Sequence, residues 1–255
     1  MPAPSRRAVL KGLAGLPLAA ILADPELARA AAELTRPETI TTAGGRGVAG
    51  ALAQPERKPA PAVLLVHEWW GLNDQIKTMA AELARQGYLA LAADLFQGRV
   101  ATNPDDARRL TQAVVADEAA DTLASWLQWL GNHQDSTRKT ATVGWCFGGG
   151  WALNAAVGTP VDATVVYYGR VNLPAEQLAR LKGPVLGHFA NRDQFINAEM
   201  VSGFEAAMAQ AGKQAELHRY DADHAFANPT GANYHREDAR LAWTRTLDFL
   251  KREIG

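Results

Sequence analysis

The segment richest in possible chemistry is Gly144-Trp145-Cys146-Phe147-Gly148-Gly149-Gly150, which follows an apolar β-type run and opens a helical pattern. Cys146 is the only cysteine of the chain. It therefore has no internal disulfide partner, and a multi-thiolate zinc site and a Cys-pair redox motif are both excluded. Its setting has the form of a nucleophile elbow with Cys in place of Ser. A turn that sharp needs small residues two positions to either side, and Gly144 and Gly148 supply them. The helix that follows aims its N-terminal dipole and free N–H groups at the sulfur, which favours a thiolate. A buried cysteine in a glycine-rich packing turn is the alternative reading of the same residues.

Such an elbow requires an acid and then a histidine further along the chain, each on a loop after a later strand. Asp193 follows the run Val185–Ala190, and His224 follows the run Ala215–Tyr220. His224 is expected to take the thiol proton and later activate water, with Asp193 fixing the imidazole tautomer and orientation. Asp221 and Asp223 are competing acids, but they lie too near His224 in sequence to turn easily onto its ring. His67, His133, His188, His218 and His235 sit at strand ends, within strands or in polar contexts, and each reads as structural. A further group, His67-Glu68-Trp69-Trp70-Gly71-Leu72, ends the first long apolar strand. The loop at that place contributes one oxyanion-hole N–H and the residue after the nucleophile the other, which assigns the backbone nitrogens of Trp69 and Phe147. A carboxylate beside two tryptophans needs a partner. Glu68 is expected to hydrogen-bond the resting thiol or relay its proton, with a surface salt bridge as the alternative.

Positioning these groups requires alternating elements. Apolar β-type runs lie at Ala62–His67, Tyr88–Ala93, Thr140–Trp145, Ala163–Tyr168, Val185–Ala190 and Ala215–Tyr220. Between them, Ile76, Met79, Ala80 and Leu83 share one helical face, as do Leu123, Trp126, Leu127 and Leu130; Trp243, Leu247 and Leu250 mark a closing helix. Strands that alternate with helices need crossover connections, so the expected fold is α/β, with a mostly parallel sheet covered by helices on both faces. Glu38–Thr42 and Gly47–Ala53, joined across Gly44-Gly45, predict an antiparallel hairpin ahead of that series. The 255 residues suit one domain, and no repeat or long linker divides them. A balance of 26 Lys+Arg against 27 Asp+Glu leaves no basic field for nucleic acid.

The first thirty residues stand apart. Arg6 and Arg7 precede the Ala/Leu/Gly-rich stretch Gly12 to Ala23, and Ala28-Arg29-Ala30 offers a small-x-small cleavage site. This pattern predicts a twin-arginine export signal over residues 1–30, the export machinery as a transient partner, a domain over residues 31–255, and a periplasmic or secreted protein. The apolar stretch is too short for a membrane span and ends in Asp24 and Glu26.

Taken together, His67-Glu68-Trp69-Trp70-Gly71-Leu72, Asp94-Leu95-Phe96, Gly144-Trp145-Cys146-Phe147-Gly148-Gly149, Gly187-His188-Phe189 with Asp193, and His224-Ala225-Phe226 resemble the dienelactone hydrolase family over about Glu38 to Leu250. The resemblance implies an α/β-hydrolase fold, a Cys146/His224/Asp193 triad, Glu68 on the resting thiol, and opening of an unsaturated lactone that carries a carboxylate. In that family two arginines clamp the carboxylate. Arg99 matches the first, but the position four residues after His224 is Asn228, and half a clamp recognises carboxylate poorly. Arg99, Trp70 and Asn228 are the expected substrate contacts. The expected protein is a cofactor-free, metal-free monomeric hydrolase of small lactones or activated esters. A noncatalytic binding protein on the same scaffold and a thiol enzyme of acyl-transfer or redox chemistry are the alternatives.

Overall fold

The computed structural model describes residues 16–255; Arg6 and Arg7, on which the export signal rests, lie outside the described residues. Eight strands form one sheet: β1 (Arg36–Thr41), β2 (Gly47–Ala53), β3 (Ala60–Val66), β4 (Leu89–Ala93), β5 (Ser136–Trp145), β6 (Ala163–Tyr167), β7 (Val185–Ala190) and β8 (Ala215–Tyr220). Their order is β1-β2-β4-β3-β5-β6-β7-β8. β1 and β2 pair antiparallel, β2 pairs antiparallel with β4, and every pair from β4 to β8 is parallel. The hairpin turns at Gly44-Gly45, where Gly45 takes φ +81°, a conformation cheap only for glycine.

Nine helices cover the described residues: α1 (Leu18–Ala23), α2 (Pro25–Ala32), α3 (Asp74–Arg85), α4 (Pro104–Gln112), α5 (Ala116–Asn132), α6 (Phe147–Gly158), α7 (Ala175–Leu178), α8 (Ala198–Gln210) and α9 (Arg236–Ile254). The period-2 geometry of a strand divides the core in two. Val63 and Leu65 of β3 face Ile76, Met79 and Leu83 of α3 and Phe249 and Leu250 of α9. Ala62, Leu64 and Val66 belong to the opposite layer, with Leu123, Trp126 and Leu130 of α5, Leu153 of α6 and Phe204 of α8. Both faces are therefore buried, as parallel strands without polar alternation require.

Among the helices outside the sequence reading are α4 and α8. α4 buries only Ala107 and Leu110, too few for a clear apolar stripe. α8 buries Val201, Phe204 and Met208 behind the cap Asn197, whose side chain accepts from the Met200 N–H, and that spacing was legible. β5 starts four residues earlier than its apolar run because Ala60 already pairs with Ser136.

The expected boundary after residue 30 falls inside α2. Ala28, Ala31 and Ala32 are buried, and the Thr78 hydroxyl of α3 donates to the Ala28 carbonyl at 2.8 Å. Ile21 and Leu34 pack together beside them with Leu27. The C-terminal part of the expected leader is thus built onto the domain.

Candidate active site

In an open parallel sheet the carboxyl ends of the strands meet at one edge, and a crevice opens where chain direction switches along the strand order. Here β4 lies on one side of β3 and β5 on the other, so the switch falls between β3 and β5. Glu68 and Trp69 follow β3, Cys146 follows β5, Tyr168 follows β6, Asp193 follows β7 and His224 follows β8. Residues far apart in sequence converge for this reason alone.

Cys146 joins β5 directly to α6 and holds φ 53°, ψ −118°. Three of the five non-glycine residues with positive φ among the described residues are Cys146 (53°), Tyr168 (35°) and Ala225 (64°), the last beside His224. Strain of this kind persists only where the surroundings enforce it, and it clusters at working sites. The close approach that enforces the elbow is visible at its glycines. A Cβ on Gly144 would stand 2.0 Å from the Gly148 carbonyl oxygen, and one on Gly148 would stand 2.2 Å from that of Val66.

The structure brings Cys146, His224 and Asp193 into one chain of contacts. His224 Nε2 lies 3.2 Å from Cys146 Sγ, and His224 Nδ1–H donates to Asp193 Oδ2 at 2.6 Å. Asp193 Oδ1 accepts from the Phe195 and Ile196 N–H groups at 2.8 and 2.9 Å, which fixes the carboxylate plane. Burial works to raise the Asp193 carboxyl, but His224 and those two N–H groups hold it below the ordinary carboxylate range. Burial alone would lower the His224 imidazole; its bonds to Asp193 and Cys146 outweigh burial and push it up to about 10. Asp221 and Asp223 turn outward and pair with Arg192. Outside the helices and strands of the described residues, the N–H groups of Trp69 and Phe147 donate to no backbone carbonyl.

Glu68 departs from expectation. It is 2% exposed, and its two oxygens are taken by other donors: the Tyr168 hydroxyl on Oε1 at 3.1 Å and the Asn228 side-chain N–H on Oε2 at 2.6 Å. The expected bond between Glu68 and the resting thiol is not among its contacts, because Cys146 Sγ pairs with His224 instead. Burial raises the Glu68 carboxyl above its ordinary value by more than the two donors lower it. Burial and the neighbouring Glu68 charge likewise raise Tyr168 well above its usual value.

Asn228, expected on the substrate, is buried and spends its amide here. Its Oδ1 accepts from the Thr230 N–H and hydroxyl at 2.9 and 2.7 Å, so the amide has a single orientation, with its N–H toward Glu68. Arg99 is not drawn to the sulfur. Its Nε donates to the Phe96 carbonyl at 3.1 Å, and it lines a cleft of about 240 Å³ with Asp94, Leu95, Leu110 and Val114, none of which belongs to the Cys146 chain of contacts. Trp70 is half-buried against Trp69, ring centroids 5.0 Å apart, and its carbonyl accepts from Ala101 N–H. His67 is a satisfied structural residue: Nδ1–H donates to the Glu68 carbonyl at 2.6 Å and Nε2 accepts from Leu95 N–H at 3.1 Å. Tyr168 was missed by sequence reasoning. It ends an apolar run like any core tyrosine, and its partner lies 100 residues away.

A mostly parallel sheet with a strained strand-to-helix elbow, followed in order by an acid after β7 and a histidine after β8, defines an α/β-hydrolase. The chain belongs to the dienelactone hydrolase family, whose sequence profile matches residues 48–254, and it is accordingly a hydrolase. It is 29% identical over 232 residues to a carboxymethylenebutenolidase of Pseudomonas putida, covering 85% of this chain and 96% of the relative. It is 32% identical over 257 residues to a protein of Saccharolobus solfataricus provisionally given the same name, covering 84% of this chain and 98% of that one. Among solved structures, a protein of Klebsiella pneumoniae provisionally described as a dienelactone hydrolase superposes with a TM-score of 0.76 at 26% identity, covering 86% of this chain and 99% of the other. A promiscuous dienelactone hydrolase-like phosphotriesterase from metagenomic libraries shares the fold, with a TM-score of 0.78 at 22% identity over 87% of this chain and all of the other.

Proposed function

We propose that the protein hydrolyses small lactones or activated esters through a covalent thioester on Cys146. The observation that carries this reading is the unbroken chain from Cys146 Sγ through His224 to Asp193, at 3.2 and 2.6 Å. In the first half-reaction the sulfur, its proton held by His224, attacks the substrate carbonyl carbon. The oxyanion then forms toward the N–H groups of Trp69 and Phe147. Collapse breaks the C–O bond, and His224 delivers the proton to the leaving oxygen. In the second, His224 takes a proton from water, hydroxide attacks the thioester, and the sulfur leaves with that proton returned.

Because the sulfur already faces His224 and both Glu68 oxygens are occupied, the nucleophile is assembled before substrate arrives. Glu68 places a buried carboxylate against Tyr168 and within electrostatic reach of His224, and Asn228 offers no cation to a substrate carboxylate. Neutral substrates are therefore favoured over the carboxylate-bearing lactone that the family resemblance implies. The deciding experiment is turnover of a panel of neutral lactones and aryl esters by the wild type and Cys146→Ala. Loss of several powers of ten with an unchanged fold supports the covalent mechanism, and near-normal turnover by the variant refutes it.

The export reading remains part of the proposal, supported by Arg6-Arg7 and the apolar stretch Gly12 to Ala23. Cell fractionation of an Arg6→Lys/Arg7→Lys variant tests it: retention in the cytoplasm is expected, and unchanged export would remove the twin-arginine assignment.

A further inference from the structure

Phe195 is 73% exposed, more than any other large apolar side chain among the described residues, and it adds nothing to either core layer. It stands two residues after Asp193, and its backbone N–H is one of the donors that fix that carboxylate. Its ring lies edge-on to His224, with centroids 5.5 Å apart and planes at 72°. The remaining sides of the imidazole are taken: Asp193 on Nδ1, Cys146 on Nε2, and the buried Tyr168 ring at 5.3 Å. Phe195 is thus the apolar surface at the open flank of His224.

The reaction fixes what passes that flank. His224 Nε2 delivers the proton to the leaving oxygen, so that oxygen lies within hydrogen-bond reach of Nε2 while the carbonyl oxygen points to Trp69 and Phe147 N–H. The carbon group on the leaving oxygen must then extend away from the sulfur along the exposed side of the imidazole. The nearest guanidinium in sequence, Arg192, is already committed to Asp221 and Asp223 and offers no charge to that group.

We infer that Phe195 is the binding platform for the alcohol portion of the substrate, and that this portion is an uncharged aromatic or bulky apolar group. The inference rests on the thioester reading and deepens it. It assigns the substrate class as esters, or lactones carrying such a group on the ring oxygen side, and it makes Phe195 a specificity residue outside the catalytic machinery. Edge-to-face and stacked aromatic contacts of this kind change a rate constant by up to about tenfold.

The test compares kcat/KM for phenyl acetate and 2,2,2-trifluoroethyl acetate in the wild type, Phe195→Ala, Phe195→Tyr and Cys146→Ala. Both esters share one acyl group, and kcat/KM reports steps up to acylation. Phe195→Ala is expected to lose about tenfold on the phenyl ester and less than twofold on the trifluoroethyl ester. Phe195→Tyr should keep the wild-type ratio, and the alkylation rate of Cys146 should be the same in all three proteins that retain it. An equal loss on both esters would make Phe195 a support for the Asp193 loop and overturn the assignment, as would no loss on either. Turnover that persists in Cys146→Ala would instead overturn the thioester reading and the assignment with it.

Discussion

Replacing Asn228 with Asp changes one atom group in a buried contact and should make the stability of the protein depend steeply on pH. The Asn228 N–H sits 2.6 Å from Glu68 Oε2, with Glu68 2% exposed. Asn228→Asp puts a second carboxylate oxygen there, and two carboxylates at that distance must share a proton. Holding it at pH 7, when both groups titrate near pH 4 in the unfolded chain, spans about three pH units at about 1.4 kcal/mol each, up to about 4 kcal/mol. At pH 5 the same count gives about 1.4 kcal/mol. The sign follows from the raised folded-state pKa: stability is retained below the unfolded value and lost as pH rises through the folded one. Urea unfolding at pH 5, 6 and 7 measures this directly, and at pH 7 the melting temperature should fall by roughly 8–16 °C. The double variant Asn228→Asp/Glu68→Gln supplies the control. There the amide at position 68 donates to the carboxylate at position 228 and accepts from the Tyr168 hydroxyl, so the pH dependence should vanish. An Asn228→Asp variant with wild-type stability from pH 5 to 7, or a double variant that fails to recover, would refute the reading of Glu68 as a buried acceptor held by Asn228.

Three further outcomes are expected. Asp193→Asn takes away the acceptor that fixes the imidazole and should lower kcat by roughly 10³–10⁴ in steady-state ester hydrolysis. Because the Asp193 carboxyl is held below its ordinary range, it stabilises the fold above about pH 4, an effect lost as pH falls; acid unfolding of Asp193→Asn should lack that component. Gly144→Ala should prevent recovery of folded protein, since its Cβ meets backbone at 2.0 Å, whereas Gly203→Ala in α8, with nothing within 4 Å, should stabilise by about 0.5–1 kcal/mol in a thermal melt. A chain starting at Ala31 loses the Ala28 carbonyl that holds Thr78 and the burial of Ile21 and Leu22, and should be at least about 3 kcal/mol less stable than one starting at Leu16; equal melting temperatures would show that α1 and α2 contribute nothing.

The strand series, the elbow and the order of acid and histidine are legible in the residues alone. Val185–Ala190 and Ala215–Tyr220 match β7 and β8 end to end; β7 is buried throughout and reads as a short apolar run, whereas β8 is a largely exposed edge strand bounded by turn residues. Gly144 was legible for a local reason, since its Cβ would meet the Gly148 carbonyl across the turn at Cys146, whereas the atoms that exclude a Cβ on Gly148 belong to Val66 and His67 at the end of β3. The partners of Glu68 emerge only in the folded chain. Tyr168 and Asn228 are 100 and 160 residues from it, and nothing at either position announces a donor to a buried carboxylate. The same holds for Phe195, whose local sequence gives no hint that its ring is left in solvent beside His224. It also holds for α2, where nothing local shows that Ala28, Ala31 and Ala32 are buried and that the Ala28 carbonyl accepts from Thr78 of α3. Periodicity and turn chemistry act within a few residues and survive in the sequence. A contact across the sheet depends on which strands are neighbours and on the register that brings their ends together, and that information exists only once the chain has folded.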